Sequence, residues 1–328
     1  MIALTRLIMI CLMSAVFFGC SSVAVNNILE ASSEAANTLA DTITTLSSGK
    51  GDAQPNESSD SPKSTRRAKL SKNSKRRKSA FTYTKNPNIN DNSYALIIGI
   101  NEYKQNTNVM YADSSAQSFY QLANTTFGIP EENILTLYND EASSGQLKYK
   151  IETLRELAEN DSKIYLYFAG HGVPGKDGDT YLLPADMSAD AIYLEPNLKL
   201  SNIYKKLSSS SASSVFVFID SCFSGKDDEG NLLYKGVAPV LKVKKEKVDS
   251  RKLAVFTAGK SNEFANDFQD KGHRLFSYYL IDQLSKGTKQ LDTIYQSVRR
   301  SVKRDSIKKG LGYKQEPQIY GNTSHDIF

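Results

Sequence analysis

The sequence predicts an α/β protein with a mainly parallel sheet that is covered by helices on both faces. From residue 94 onward, apolar runs of strand length alternate with longer segments of helical periodicity. Runs rich in β-branched and aromatic residues, separated by helices, are typical of parallel strands that are buried on both faces. A short final segment, 316–321, contains Pro317 and predicts an edge strand. The other predicted strands are 94–100, 133–139, 163–170, 214–220 and 253–259, and the predicted helices are 113–127, 145–160, 197–207, 274–284 and 291–304.

The N-terminus has the pattern of a bacterial lipoprotein signal. Arg6 precedes a mostly apolar run at 7–19, which ends at Gly19 and Cys20. The run is too short to cross about 30 Å of hydrocarbon as a helix, but its length suits a secretory signal. The small residue before Cys20 resembles the lipobox, in which the cysteine is lipidated and the peptide bond before it is cut. An ordinary signal peptide or a short N-terminal anchor is the alternative. Lipidation predicts a signal peptide at 1–19 and a chain held by Cys20 to a membrane of the bacterial envelope, the outer membrane where one exists.

Cysteine usage singles out one thiol. The chain has three cysteines, Cys11, Cys20 and Cys222, which are too few for a disulfide framework. Cys11 would leave with the signal peptide, and a thioether would block Cys20. Cys222 is then predicted to be the only free thiol of the mature chain.

Residues 20–91 are predicted to form a lipidated N-terminus and a tether. Residues 26–47 show a weakly amphipathic helical pattern, which predicts a helix that lies on the membrane, pairs with another copy or frays. Residues 48–92 are rich in Ser, Asn, Lys and Pro and predict a disordered tether. A basic block at 63–78 fits three interpretations: contact with anionic lipid or polymer, a peptidase cleavage site, or a solvated tail.

Two strand ends carry the residues from which we predict catalysis. The strand at 163–170 leads into His171 and Gly172, and the strand at 214–220 leads into Cys222. In a parallel sheet both ends emerge at one edge, where neighbouring strands lie about 4.8 Å apart. A thiol becomes a good nucleophile when an imidazole takes its proton, and the same imidazole can later protonate the leaving amine. We therefore predict Cys222 as nucleophile and His171 as base, with the backbone N–H groups of Gly172 and Cys222 as an oxyanion hole.

The contexts of these two residues resemble the caspase/metacaspase superfamily of cysteine peptidases. YFAGHG at 167–172 is followed by FIDSCFSG at 218–225, and the cysteine lies 51 residues after the histidine. The segments YALIIGINEY, TYLLPADM, KLAVFTAG and HRLFSYYLIDQL are similar to bacterial members. The resemblance covers residues 92–322 and implies a caspase-like three-layer sandwich with a mostly parallel six-stranded sheet. It also implies a cysteine endopeptidase that acts on peptide or protein substrates through His171 and Cys222 without a cofactor.

The resemblance also bears on the bond that is cut. Animal caspases hold an aspartate with arginines, whereas metacaspases hold Arg or Lys with acids. The residues that correspond to the metacaspase acids are Asp220, two residues before the nucleophile, and Asp113, at the start of the helix after the first strand. Two carboxylates suit a guanidinium through charge-assisted hydrogen bonds. This implies cleavage after Arg or Lys. Roles as a helix N-cap for Asp113 and as a turn former for Asp220 are the structural alternatives.

Metal and nucleotide sites receive little support. Calcium activates many metacaspases, but the nearby acids match no calcium loop motif, so we expect them to be solvated loop acids: Asp177, Asp179, Asp227 and Asp228. The remaining histidines, His273 and His325, have no metal-ligand company, and no phosphate-binding loop follows the first strand. We therefore predict no metal site, and the modest net charge of +5 gives no reason to expect a nucleic-acid partner.

Several alternatives concern regulation and function. The basic loop at 226–252 is either a site of self-cleavage or an exposed flexible loop. An Asp-specific peptidase and a catalytically idle scaffold are the rivals within the fold. A chiefly structural envelope lipoprotein is the rival based on the tether.

Overall fold

A computed structural model describes residues 80–176, 178–234 and 251–328. The predicted signal peptide, Cys20, the helical pattern at 26–47, the basic block, Asp177 and the loop residues 235–250 lie outside the described residues.

A six-stranded sheet forms the centre of the fold and confirms the predicted class. Its spatial order is β10-β7-β6-β3-β1-β2, with every neighbouring pair parallel except β10 and β7. The antiparallel strand β10 lies at the edge directly after Pro317, as the sequence predicted. The ten strands in chain order are β1 Ser93–Gly99, β2 Ile134–Tyr138, β3 Lys163–Ala169, β4 Gly172–Pro174, β5 Thr180–Leu182, β6 Ser214–Asp220, β7 Leu253–Thr257, β8 Asp267–Phe268, β9 His273–Arg274 and β10 Gln318–Gly321.

Five α-helices connect the strands and cover the sheet. β2 and β3 pair on opposite sides of β1, so right-handed crossovers put the helices that lead to them on opposite faces. One group of helices packs together as α1, α4 and α5, and the other as α2 and α3. None of the helices in the described ranges is long and apolar enough to cross a membrane. The helices are α1 Ala112–Thr125, α2 Ser144–Leu157, α3 Leu200–Ser208, α4 Leu275–Ser285 and α5 Leu291–Lys308.

Helix α1 is held close to the end of β1. Its buried residues recur at three- and four-residue spacings, and the Phe119 ring stacks on Tyr167 of β3 with centroids 4.4 Å apart. At Gly99, a Cβ atom would lie 2.6 Å from the Ala116 side chain, so only glycine allows this approach. The first turn of α1 therefore lies beside the carboxyl end of β1.

Two short antiparallel pairs, β4 with β5 and β8 with β9, were not predicted. Each of their strands has only two or three residues, which is too short for alternation to be visible in the sequence. The first pair begins directly after His171, and the second ends at Arg274. Both pairs therefore shape the edge of the sheet where the predicted catalytic residues lie.

Candidate active site

The predicted catalytic residues follow neighbouring strands in register. β3 and β6 are adjacent and parallel, and their last paired residues are Ala169 and Asp220. The pairing continues one step further, since the Gly170 N–H group donates to the Asp220 carbonyl oxygen at 3.3 Å. His171 and Cys222 each come two residues after the Ala169–Asp220 pair. The prediction that the carboxyl ends of these two strands lie next to each other is thus confirmed.

His171 is buried and held by the segment that follows β1. Its side chain and backbone are 2% exposed, and its N–H group donates to the Tyr103 hydroxyl at 2.7 Å. The two rings lie 4.8 Å apart, and Nε2 of His171 is 2.8 Å from the Thr107 carbonyl oxygen. Because a carbonyl oxygen only accepts, Nε2 carries a hydrogen and Nδ1 is the free acceptor of the neutral ring. Burial lowers the pKa of His171, and the hydrogen bond to Thr107 opposes this shift.

Cys222 is the free cysteine of the described ranges, and it is also buried. It is 5% exposed, and its thiol donates to the Lys226 carbonyl oxygen over 3.3 Å. Burial raises the pKa of the thiol, and the Asp228 carboxylate raises it further, whereas the Arg274 guanidinium lowers it. Burial therefore shifts the pKa of both groups towards their neutral forms, the thiol of Cys222 and the uncharged imidazole of His171.

The glycines on either side of His171 are in close contact with aromatic side chains of the protein. A Cβ atom at Gly170 would lie 2.6 Å from the Tyr103 hydroxyl oxygen, and one at Gly172 would overlap the Phe223 ring. In the fold they leave room for Tyr103 and Phe223. The assignment of the Gly172 and Cys222 N–H groups to an oxyanion hole stays a prediction.

Asp220, the first predicted substrate-binding acid, is fully buried and faces helix α4. Its Oδ2 atom accepts hydrogen bonds from the Ser277 N–H group at 2.9 Å and from the Ser277 hydroxyl at 2.6 Å. Its Oδ1 atom lies 3.9 Å from Nε of Arg274. Burial raises the pKa of Asp220, although Arg274 and Ser277 act in the opposite direction. The Oδ2 atom of its carboxylate is therefore already occupied by Ser277, whereas Oδ1 has only the longer contact with Arg274.

Arg274 is the main functional candidate that the sequence analysis did not identify. It is 1% exposed, and its guanidinium makes a two-pronged contact with Asp228 at 2.5 and 3.1 Å. It also donates to the Ala265 carbonyl oxygen, and at 3.5 Å to that of Met110. The sequence did contain one signal, an arginine at the start of an apolar helix. An arginine at such a position is expected to be buried, and because burying a charge is costly, it requires partners.

Asp113, the second predicted acid, lies in the first turn of α1 and is half-buried. Its Oδ1 atom accepts the N–H group of Ser114 at 2.7 Å, and Tyr111 rather than Asp113 is the N-cap residue. The same turn lies next to Arg274, whose N–H group donates to the Ser115 hydroxyl at 2.9 Å. The first turn of α1 and the Asp220 carboxylate therefore approach Arg274 from two different elements.

The acids that were expected to be solvated have internal partners. Asp227 is 3% exposed and accepts the N–H groups of Glu229 and Asn231 at 3.0 and 2.8 Å. Asp228 pairs with Arg274, and Asp179 with Lys199. The expectation of solvated loop acids was wrong for these three residues. Within the described ranges, no group of three or more His, Cys, Asp or Glu side chains is arranged to hold a metal ion.

A parallel α/β sheet with a histidine and a cysteine beyond neighbouring strand ends is the architecture of a caspase-like cysteine peptidase. A family model of the caspase domain, a family of cysteine peptidases, matches residues 92–328. The chain therefore belongs to the caspase-domain family.

The chain is similar to solved structures, one of which has a TM-score above 0.5. A crystal structure of a Geobacter sulfurreducens protein has a TM-score of 0.53 and 17% sequence identity, over 72% of this chain and 95% of that one. Caspase-1 from Spodoptera frugiperda has a TM-score of 0.48 and 14% identity, over 75% of this chain and 91% of that one. A comparison with curated proteins gave no match. At these identities the likeness concerns the fold alone.

Proposed function

We propose that the protein is a cysteine endopeptidase in which Cys222 is the nucleophile and His171 the general base and acid. The observation that carries this proposal is the register of β3 and β6, after which the two residues follow adjacent strands by the same number of positions. The hydrogen bond from Nε2 of His171 to Thr107 adds to it, because it leaves Nδ1 as the proton acceptor.

The reaction follows from these two groups. Nδ1 of His171 takes the thiol proton, and Sγ of Cys222 forms a bond to the carbonyl carbon of the substrate. The carbonyl oxygen becomes an oxyanion, for which the Gly172 and Cys222 N–H groups are the proposed donors. When the C–N bond breaks, the amine leaves with the proton from His171 and a thioester remains on Cys222. His171 then takes a proton from water while the water oxygen forms a bond to the thioester carbonyl carbon. The C–S bond breaks, the carboxylic acid product leaves, and His171 returns the proton to the sulfur of Cys222.

We further propose that cleavage follows Arg or Lys. The support is the resemblance of Asp113 and Asp220 to the acids of metacaspases, together with the proximity of both elements to Arg274. The Asp220 carboxylate lies beside the Arg274 guanidinium, and a carboxylate in such surroundings is chemically suited to bind the guanidinium of a P1 arginine. Calcium dependence has no residue-level support in the described ranges and enters only as a condition of the assay.

We also propose that Cys20 is lipidated and that the peptidase domain works outside the cytoplasm, tethered to a bacterial envelope membrane. The support is the sequence pattern of residues 6–20. The substrates are then peptides or proteins within reach of the tether.

The test is hydrolysis of fluorogenic peptides that end in Arg, Lys or Asp by the full chain in detergent, with and without calcium. We expect turnover after Arg or Lys that falls by about a thousandfold or more in Cys222→Ala and His171→Ala proteins. A His325→Ala protein is the matched control and should keep full activity. Full activity in either variant of the pair would contradict the assigned roles, and absence of turnover in every condition would favour a scaffold.

A further inference from the structure

We infer that Arg274 is a specificity-determining residue whose guanidinium competes with a basic P1 side chain for the same acids, so that the wild-type protein cleaves after Arg or Lys more slowly than its pocket would allow. This inference rests on the proposed function, since it concerns the pocket of the same peptidase. Nothing in the pattern of the catalytic motifs points to it. It follows from the partners of one buried side chain.

The partners of Arg274 are those that a substrate arginine would need. Its guanidinium contacts both Asp228 oxygens and the carbonyl oxygens of Ala265 and Met110, and Asp220 lies 3.9 Å from Nε. Carboxylates in a two-pronged arrangement, completed by carbonyl oxygens, are a typical binding site for guanidinium. The pocket is thus built for a cation, and the protein supplies that cation itself.

This arrangement lies next to the nucleophile. Asp220 comes two residues before Cys222, and Asp228 comes two residues after Lys226, whose carbonyl oxygen accepts from the Cys222 thiol. The charges of Asp228 and Arg274 both act on the pKa of Cys222, in opposite directions. A side chain that replaced Arg274 would therefore lie beside the reacting sulfur.

Arg274 is not arranged to bind an acidic substrate side chain. It is 1% exposed, and Nη1 and Nη2 already donate to acceptors of the protein. Nε faces Asp220 over 3.9 Å. A substrate carboxylate would have to displace Asp228 and would meet Asp220. Asp220 and Asp228 together carry more negative charge than Arg274 carries positive charge, so a cation rather than a carboxylate would compete with Arg274.

The contact between Arg274 and Asp220 is incomplete. Oδ1 of Asp220 and Nε of Arg274 are both buried without a hydrogen-bond partner in the described structure. An unpaired buried carboxylate oxygen is costly and remains available to an N–H donor that comes closer. A shorter or differently anchored cation, such as the head of a P1 side chain, could satisfy it once Arg274 is absent.

Two variants of Arg274 test this inference in the full chain. Arg274→Ala removes the internal cation and should raise kcat/KM for P1 Arg and P1 Lys peptides at least about tenfold relative to a P1 Gln peptide, mainly through KM. Asp220→Asn in the Arg274→Ala background should abolish this gain. Arg274→Gln provides a second test if the Ala variant folds poorly, and Arg300→Ala, which removes an exposed arginine, is the matched control.

A binding measurement separates this inference from the peptidase proposal. Agmatine, a free arginine side-chain analogue, should raise the Tm of the Arg274→Ala protein but not that of wild type or of the Arg274→Ala/Asp220→Asn protein. This shift without hydrolysis by any variant would defeat the peptidase proposal and leave the pocket assignment standing. Peptide cleavage with an unchanged P1 preference in both Arg274 variants and no agmatine effect would overturn the inference alone.

Discussion

At the scale of single residues, the candidate site depends on side chains that hold the proposed catalytic pair in place. Tyr103 accepts the His171 N–H group at 2.7 Å and packs its ring against the imidazole. Burial raises the pKa of Tyr103 far above its ordinary range, so its hydroxyl stays neutral at any working pH. The residue therefore acts as a fixed acceptor that orients the backbone of His171.

Replacing Tyr103 by Phe keeps the ring and removes only the acceptor. The buried N–H group of His171 would then be unsatisfied, which costs about 1–3 kcal/mol of the free energy of unfolding. Urea unfolding measures this loss, and kcat should fall with it because His171 loses its orientation. Tyr149→Phe, at a side chain that is 62% exposed, should change neither quantity. Equal stability of the two variants would mean that the Tyr103 hydroxyl has no such role.

Gly172 and Gly145 form a second matched pair. A Cβ atom at Gly172 would lie 2.6 Å from the Ser221 hydroxyl oxygen and would overlap Phe223, whereas Gly145 on helix α2 has nothing within 4 Å of that position. We expect Gly172→Ala to lower the free energy of unfolding by about 1–3 kcal/mol. Gly145→Ala should raise it by up to about 1 kcal/mol, since alanine favours the helix. Chemical denaturation of both variants checks the two signs, and a neutral Gly172→Ala would be incompatible with the close contact.

The sequence predicted His171 and Cys222 as neighbours because each follows a strong apolar strand. It could not predict how their surroundings are filled. Tyr103 and Arg274 both lie in segments that resemble bacterial members of the family, but nothing in those segments shows which groups their side chains contact. Asp228 looked like a solvated acid, since a pairing across 46 residues depends on how loops fold back rather than on local pattern.

At the scale of elements, the strands of the main sheet were the most predictable part. β6 was predicted with its observed bounds, because seven consecutive buried residues leave little ambiguity. Helix ends were less predictable. α1 ends at Thr125 rather than at the predicted residue 127, and α5 continues beyond the predicted residue 304 to Lys308 through a mostly polar last turn. The spatial order of strands also depends on crossover geometry, which no single segment encodes.

An ionic cluster around the buried Glu316 joins three elements and gives a prediction on pH. Glu316, just before β10, accepts hydrogen bonds from Lys260 after β7 at 3.1 Å and from Arg299 of α5. The Lys260 ammonium, followed by the Arg299 guanidinium, lowers the pKa of Glu316 from 4.5 to about 2. The unfolded chain therefore takes up this proton first as the pH falls. The stabilisation is complete above about pH 4.5 and is lost progressively towards about pH 2.

Glu316→Gln should remove this contribution to the pH dependence. The free energy of unfolding of the variant should be lower than that of wild type at pH 6, and the difference should shrink as the pH falls from 4.5 towards 2. Denaturant unfolding at a series of pH values measures it. Glu132→Gln, at an exposed position, is the control and should follow wild type throughout. A gap between Glu316→Gln and wild type that stays constant with pH would rule out the proposed linkage.

At the scale of the whole molecule, the family assignment accounts for residues 92–328, and the proposal of where the domain works depends on the preceding sequence. If Cys20 is lipidated, radiolabelled palmitate should enter the chain, and the mature N-terminus should begin at Cys20 with a mass increased by the lipid. Cys20→Ala should lose the label and keep residues 1–19, since the signal peptidase that recognises the lipidated cysteine no longer cuts. Cys11→Ala alters a cysteine of the same apolar segment and should behave like wild type, because that residue leaves with the signal. Palmitate incorporation that survives in Cys20→Ala would reject the lipobox assignment. Loss of label with unchanged peptide hydrolysis would show that the anchor determines location and not chemistry.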